Sequence, residues 1–364
     1  MMQELSVRPS RRMLLAAGPA VLLAEALPGA VKAAPPAEAA APLIDAMVRD
    51  HAFQGVVILG RGGAVRFARA VGSADIDNGV PMAVDTPFGI ASISKRLTAV
   101  AVMRLVERKR LSLDAPITTY LRQYRADTGA RVTLRHLLSN SSGIPSQFLT
   151  AAGKDPSLLT TQLTTAEAIR RFASGDLIFE PGARFDYALT NWVLITGILE
   201  AATGQPYPEI MLELVIKPLG LGATTLDLPP HAAKSYRTLS PPTEWMRTRL
   251  DYMAAGGGYF STAQDMLRFG HAVYDSEFLS RASRLALTNV EVASDSYALG
   301  GRVREVAIGG RKRTAAWDTG NTAGYRSVLG DRLDGKGAVV ILNNSAMSQR
   351  TMDEFADALL QIGI

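Results

Sequence analysis

Residues 88–99 read Phe88-Gly89-Ile90-Ala91-Ser92-Ile93-Ser94-Lys95-Arg96-Leu97-Thr98-Ala99. The stretch Pro87–Ile90 is short and extended in character. From Ser92 to about Arg110 the pattern turns helical, with Leu97, Val100, Ala101, Leu105 and Val106 recurring at helical spacing. Positions i and i+3 of a helix share a face, so Ser92 and Lys95 stand side by side at the first turn. A helix start also offers free backbone N–H groups and the positive end of the dipole. Those features suit a serine that must lose its proton and then stabilise an oxyanion. The pair alone is a weak signal. A Ser-x-x-Lys spacing is expected about once by chance in a chain of this size, and an N-capping serine beside a solvated lysine explains it as well.

Upstream of this segment, Gln54–Leu59 and Ala64–Ala70 are β-rich runs separated by Arg61-Gly62-Gly63, a hairpin signal. Residues 43–51 suggest a short amphipathic helix, and the Ala/Pro-rich residues 34–42 a linker. Downstream, helical stretches cover Thr133–Leu138, Thr165–Ala173, Thr190–Ala202 and Pro206–Val215, with little strand signal. After the turn Gly256-Gly257-Gly258 a helix starts near Thr262. Strand-like runs follow at Gly301–Ile308, Arg313–Trp317, Arg326–Gly330 and Ala338–Leu342, and a last helix covers Gln349–Ile362. Strands thus lie at both chain ends, and short connections favour antiparallel pairing. The expected fold class is α+β: an antiparallel sheet built from both chain ends (43–115 with 251–364), flanked by helices, with an all-helical lobe inserted at 116–250.

The 364 residues are 47% hydrophobic and 20% charged, which is ordinary globular composition with enough chain for a sizeable core. The net charge of +5 is mild. The one tight basic run, Arg311-Lys312-Arg313, reads as a hairpin turn and not as a nucleic-acid patch, so no nucleic-acid partner is expected. There is no cysteine, which excludes disulfides, thiolate catalysis and a cysteine-ligated zinc. The four histidines are scattered without metal-ligand spacing, so neither a metal nor another cofactor is expected. Near the N-terminus, Ser10-Arg11-Arg12-Met13-Leu14-Leu15 leads an apolar run to Leu23 and then small residues. This is the layout of a twin-arginine export signal over residues 1–33, cut after Ala33. Gly18, Pro19 and Glu25 break the run, which is too short for a stable membrane span. The expectation is a periplasmic or secreted bacterial protein that meets the export machinery through this signal.

The segment Phe88–Ala99 resembles the active-site segment of the serine β-lactamase-like, penicillin-binding-protein-like family. That family holds class C β-lactamases, D-alanyl-D-alanine carboxypeptidases, D-aminopeptidases and related esterases. Further segments resemble its signatures in order: Phe53-Gln-Gly-Val-Val, Leu111-Ser-Leu-Asp-Ala-Pro-Ile, Leu134-Arg-His-Leu-Leu-Ser-Asn-Ser-Ser-Gly-Ile-Pro, Pro181-Gly-Ala-Arg-Phe-Asp-Tyr and Ala255-Gly-Gly-Gly-Tyr-Phe-Ser-Thr-Ala-Gln-Asp-Met. The resemblance implies an acyl-enzyme on Ser92, with Tyr187 as a further catalytic group beside Lys95. A phenol next to an ammonium shifts toward phenolate, so the two can serve as base and then acid.

Two departures stand out. The family's Tyr-x-Asn is here Tyr187-Ala188-Leu189, and Asn191 is the nearest replacement amide. The family's Lys-Thr-Gly or His-x-Gly is here Asp318-Thr319-Gly320, followed by Asn321, whose N–H the resemblance makes the second oxyanion donor after that of Ser92. Gly320 would let the strand approach closely. Asp318 either repels a substrate carboxylate or is spent in a salt bridge to an arginine such as Arg313. The expected activity is hydrolysis of an ester or amide, from a small molecule or peptide, with poor β-lactamase activity. The alternatives are an acyltransferase or transpeptidase using the same acyl-enzyme, and a catalytically silent protein that binds cell-wall fragments.

Overall fold

The computed structural model describes residues 36–245 and 248–362. The export signal read in residues 1–33 lies outside the described residues. The first helix, α1, runs Pro36–His51, so the stretch from 36 to 42 is helix and not linker. Pro36 stands at the helix start, where its missing N–H is not needed, alanine is the strongest helix former, and Pro42 lies within the helix all the same. Composition alone hid this helix.

Six strands form the main sheet: β1 (Gly55–Arg61), β2 (Ala64–Val71), β3 (Arg302–Ile308), β4 (Arg311–Thr322), β5 (Tyr325–Arg332) and β6 (Ala338–Asn343). Their order is β2-β1-β6-β5-β4-β3, antiparallel throughout. The sheet therefore joins both chain ends, as the strand pattern predicts, with Gly55 opposite Asn343. β1 from Gly55 to Gly60 and β6 from Ala338 to Leu342 are continuously apolar because both faces are covered. Val56, Ile58, Val340 and Leu342 share a core with α2 (Ser94–Glu107), α3 (Leu189–Thr203) and α4 (Ala263–Tyr274). Val57, Leu59, Val339 and Ile341 meet α1 and the last helix, α5 (Gln349–Leu360). Each such buried aliphatic side chain is worth about 1.5–3 kcal/mol. The helical region between Ile117 and Ile216 is not detached from the sheet. Trp192 and Ile195 of α3 lie in the same apolar cluster as Leu97 of α2 and Ile58 of β1.

Two details differ from the sequence reading. A short hairpin, Tyr236–Leu239 with Pro242–Glu244, interrupts the span expected to be helical. The basic run 311–313 is the first part of β4 and not a turn. The turn is Gly309-Gly310, both at positive φ (56° and 71°), a conformation that glycine adopts without strain. Lys312 of that run pairs with Glu305 on β3 at 2.6 Å. Among the described residues no helix is long and apolar enough to cross a membrane.

Candidate active site

The extended pair Phe88–Gly89 ends at Ala91, which holds a positive φ of 47°. Such backbone in a residue other than glycine is strained, and it turns the chain sharply into Ser92. Ser92 sits in a 3₁₀ turn, Ala91–Ile93, and the α-helix proper begins at Ser94. Side chains three apart eclipse in a 3₁₀ turn. Lys95 Nζ accordingly donates to Ser92 Oγ at 3.1 Å. The lysine is buried, so its charge needs partners. It finds the Gly256 carbonyl and the rings of Tyr187 (4.8 Å) and Trp192 (5.5 Å).

Tyr187 reaches the same serine from the loop before α3, with its hydroxyl donating to Ser92 Oγ at 2.6 Å. The residue is 41% exposed, while its hydroxyl is set between Ser92 and Lys95. Burial pushes the phenol up. The Lys95 ammonium, hydrogen bonds with Lys95 and Ser92, and the charge of Arg302 outweigh it, and the Tyr187 pKa falls below the usual phenol value.

The loop carrying Tyr187 is pinned to a polar hub. Asp186 N–H donates to the Asn140 carbonyl at 2.8 Å, and Gly182 N–H to the Ser141 carbonyl at 2.7 Å. Asn191 belongs to this hub. Its amide donates to Asn140 Oδ1 at 3.1 Å and accepts from Ser142 Oγ at 2.6 Å, and the residue is wholly buried. It therefore does not offer an amide to a substrate, contrary to the expectation. Both faces of its carboxamide are used in holding α3 to the 139–142 turn. Leu189, at the start of α3, faces the cleft instead.

The other wall is β4. Its pairing with β3 stops at Trp317 opposite Arg302, which leaves one edge free from Asp318 onward. The two-residue turn Ala323–Gly324 makes Thr322 and Tyr325 a hydrogen-bonded pair. By alternation the Asn321 N–H points away from β5, to the free edge. Gly320 is needed for the close approach, since a Cβ there would lie 2.3 Å from the Ile90 carbonyl oxygen and 2.2 Å from Ser327 Oγ. Ser92 and Asn321 line the same cavities, and Thr319 lines one of them.

Asp318 departs from the sequence reading. It is a buried partner of Arg96, not of Arg313: the guanidinium Nε and Nη2 lie 3.1 Å from the carboxylate. Arg313 instead stands 4.0 Å from Asp334. Arg96 also donates to the carbonyls of Leu287 (2.8 Å) and Leu299 (2.9 Å). Burial pushes the Asp318 carboxyl above its usual value, and Arg96 and the Tyr274 hydroxyl hold it back. With its charge matched by Arg96, Asp318 supplies no net repulsion toward a substrate carboxylate. The pair is packed so tightly that a Cβ on Gly301 would fall 1.8 Å from Asp318 Oδ1.

Two cavities meet at Ser92. One, about 430 Å³, is polar and is lined by Lys95, Arg302, Asp318, Thr319 and Gln349. The other, about 560 Å³, is walled by Phe148, Leu149, Leu189, Leu226, Met253 and Phe260 among others. Ser92, Tyr187 and Asn321 border both, so a reacting group at the serine can extend into each. Among the described residues no three carboxylates or imidazoles converge as a metal site would require. Sequence reasoning did not single out Gly256, Asn140, Arg96 or Arg302. The glycine-rich stretch 255–258 and the Gly300-Gly301 pair before Arg302 were the available signals, since paired glycines mark close backbone approach.

A serine shared by a buried lysine and a tyrosine, at the edge of an antiparallel sheet, defines a class of acyl-transferring hydrolase. The Beta-lactamase family model matches residues 40–362, and the chain belongs to that family of serine hydrolases. It is 32% identical over 269 residues to Esterase EstB of Burkholderia gladioli, covering 64% of this chain and 68% of that protein. It is 27% identical over 261 residues to Penicillin-binding protein 4* of Bacillus subtilis (strain 168), covering 66% of this chain and 57% of that protein. Among solved structures, EstCE1, described as a hydrolase with promiscuous acyltransferase activity, superposes with a TM-score of 0.73 at 24% identity, over 89% of this chain and 98% of that one. This last likeness bears on the fold.

Proposed function

We propose that the protein is an esterase that forms an acyl-enzyme on Ser92. The observation that carries this reading is the convergence of Tyr187 Oη (2.6 Å) and Lys95 Nζ (3.1 Å) on Ser92 Oγ. Tyr187 as phenolate takes the serine proton while Lys95 holds the negative charge in place. The carbonyl oxygen of the tetrahedral intermediate accepts from the N–H groups of Ser92 and Asn321. The proton then passes from Tyr187 to the leaving alcohol, and water repeats the steps to release the acid. The apolar cavity suits an alkyl or aryl acyl group. No side-chain amide stands at position 189, and Asn191 is spent elsewhere, so the donor that would grip an amide-bearing substrate such as a penicillin is missing. This favours esters over β-lactams.

The test is p-nitrophenyl butyrate turnover followed from the first milliseconds, with fluorophosphonate labelling and mass mapping alongside. A burst of p-nitrophenol with the adduct on Ser92 is expected. An adduct elsewhere, with wild-type turnover in Ser92→Ala, would end the reading, and no turnover at all would favour the silent binding protein. We also propose export through residues 1–33, on the strength of the Arg11-Arg12 pair and the apolar run behind it. Secreted material should begin at Ala34, and an intact Met1 on exported protein would refute cleavage.

A further inference from the structure

We propose that Trp192 is a positioning residue of this centre: the face of its indole keeps Lys95 in the ammonium form, where no carboxylate or side-chain amide does so. The inference rests on the esterase reading and concerns the lysine of that same site. Lys95 is 1% exposed, and an ammonium taken out of water must be compensated or it gives up its proton. Among the described residues no carboxylate lies within ion-pair distance of it. Asp318 borders the same polar cavity but is paired with Arg96. Position 189 offers a leucine, and the Asn191 amide is spent on Asn140 and Ser142. Apart from Ser92 itself, the Gly256 carbonyl and two ring faces remain.

Of the two rings, Tyr187 is the proposed base, with its hydroxyl turned to Ser92. Trp192 takes no part in proton transfer. It is wholly buried on α3, with a ring centroid 5.5 Å from Lys95 Nζ. A tryptophan face attracts a cation more strongly than that of tyrosine or phenylalanine. Its Nε1 is buried with no partner among the described residues. Buried indoles ordinarily satisfy that N–H, so hydrogen bonding does not account for a tryptophan here and the face does. The indole is also fixed in place. A Cβ on Gly256 would lie 3.3 Å from Trp192 Cβ and 3.5 Å from Leu189 Cδ2. The bare glycine backbone thus packs on the base of the indole while its carbonyl meets Lys95.

The other ionisable groups facing Lys95 are Tyr187 and, along the polar cavity, Tyr297, Arg302 and the Arg96-paired Asp318. Burial holds the Tyr297 phenol above its usual value, so it stays neutral. The segment Ala254–Gly257 carries no ionisable group, and α3 only Glu200 toward its far end. In the working form Tyr187 is ionised and Lys95 charged, and the indole acts on the lysine charge alone. Weakening its face should bring the alkaline limb of the kcat/KM profile, where Lys95 loses its proton, to lower pH without moving the acid limb upward. A merely structural defect would lower the rate evenly across pH.

The experiment places fluorinated tryptophans at position 192, which drains the ring face in steps at nearly constant shape. From mono- through di- to trifluorotryptophan the alkaline limb for p-nitrophenyl butyrate should fall stepwise, by roughly half to one and a half pH units in all. Trp192→Phe should fall within that series, and Trp192→Leu should move the limb at least as far. The side-chain resonance of Lys95 in isotope-labelled Ser92→Ala protein, assigned by its loss in Lys95→Arg, provides a titration independent of turnover. Its midpoint should fall in the same order. A Lys95 titration that stays put across the fluorinated series overturns the proposal, whatever the rates do and however poorly Trp192→Leu folds. If no ester is turned over the esterase reading fails, and the resonance still decides the role of Trp192.

Discussion

Lys95→Ala and Tyr187→Phe are each expected to lower kcat for p-nitrophenyl butyrate by roughly 10²–10⁴-fold. Both side chains converge on one oxygen, and the proposed mechanism needs both to activate Ser92. Lys95 helps hold the phenol below its usual pKa, as a group proposed to accept the serine proton requires. Because they act as a unit, the double variant should be little slower than the worse single one. The pH dependence follows from the direction of the Tyr187 shift. The group works as a base only when ionised, so kcat/KM is retained above its lowered pKa and lost as pH falls through it. Stopped-flow rates across pH check both points. Near-normal turnover in both single variants would show that another base removes the serine proton.

Asp318→Asn is expected to destabilise the protein by about 3–5 kcal/mol, because it strands a buried arginine. The side chain of Arg96 is fully buried, and its carbonyl partners do not neutralise its charge. At roughly 2 °C per kcal/mol for a chain of this size, the melting temperature should drop by about 5–10 °C. Asp318→Lys, which the sequence alone suggests as a way to improve handling of carboxylate-bearing substrates, should be worse, since it sets two cations against each other in the interior. Arg96→Met with Asp318→Leu removes both charges and should recover most of the loss. Calorimetric melts of the three variants decide the matter. An Asp318→Asn protein that melts within 2 °C of wild type would mean the pair contributes little.

What the sequence shows and what it hides divide along chain distance. Ser92 and Lys95 are three residues apart, so local periodicity places them together. The β-rich run of β1 and the Arg61-Gly62-Gly63 turn likewise mark a hairpin without any knowledge of the rest. Tyr187 comes in through resemblance, because nothing local ties it to a serine 95 positions away. Asn191 misleads for the same reason: its distance from Tyr187 says nothing of Asn140 and Ser142, which claim its amide. Chain proximity suggests Arg313 as the partner of Asp318, but strand register sends Arg313 toward Asp334 and leaves Asp318 to Arg96 on α2. Arg302 lies in a strand the sequence does reveal, but a lone arginine signals nothing until the fold sets it over Phe185 and Tyr297 near Tyr187.

The closing of the sheet by β1 against β6 also orders events during biosynthesis. The Gln54 N–H donates to Asn343 Oδ1 across 289 residues of chain. A nascent chain on the ribosome therefore carries Ser92, Lys95 and Tyr187 well before the strand that supplies Asn321 is made. Until β6 arrives, β1 presents an unpaired apolar edge, the kind of surface that recruits other strands. Contacts so distant in sequence are slow to form, since the long loop must close before they contribute. Hydrolytic competence can therefore emerge only at the end of folding, when the last strands seal the centre that the first helices began.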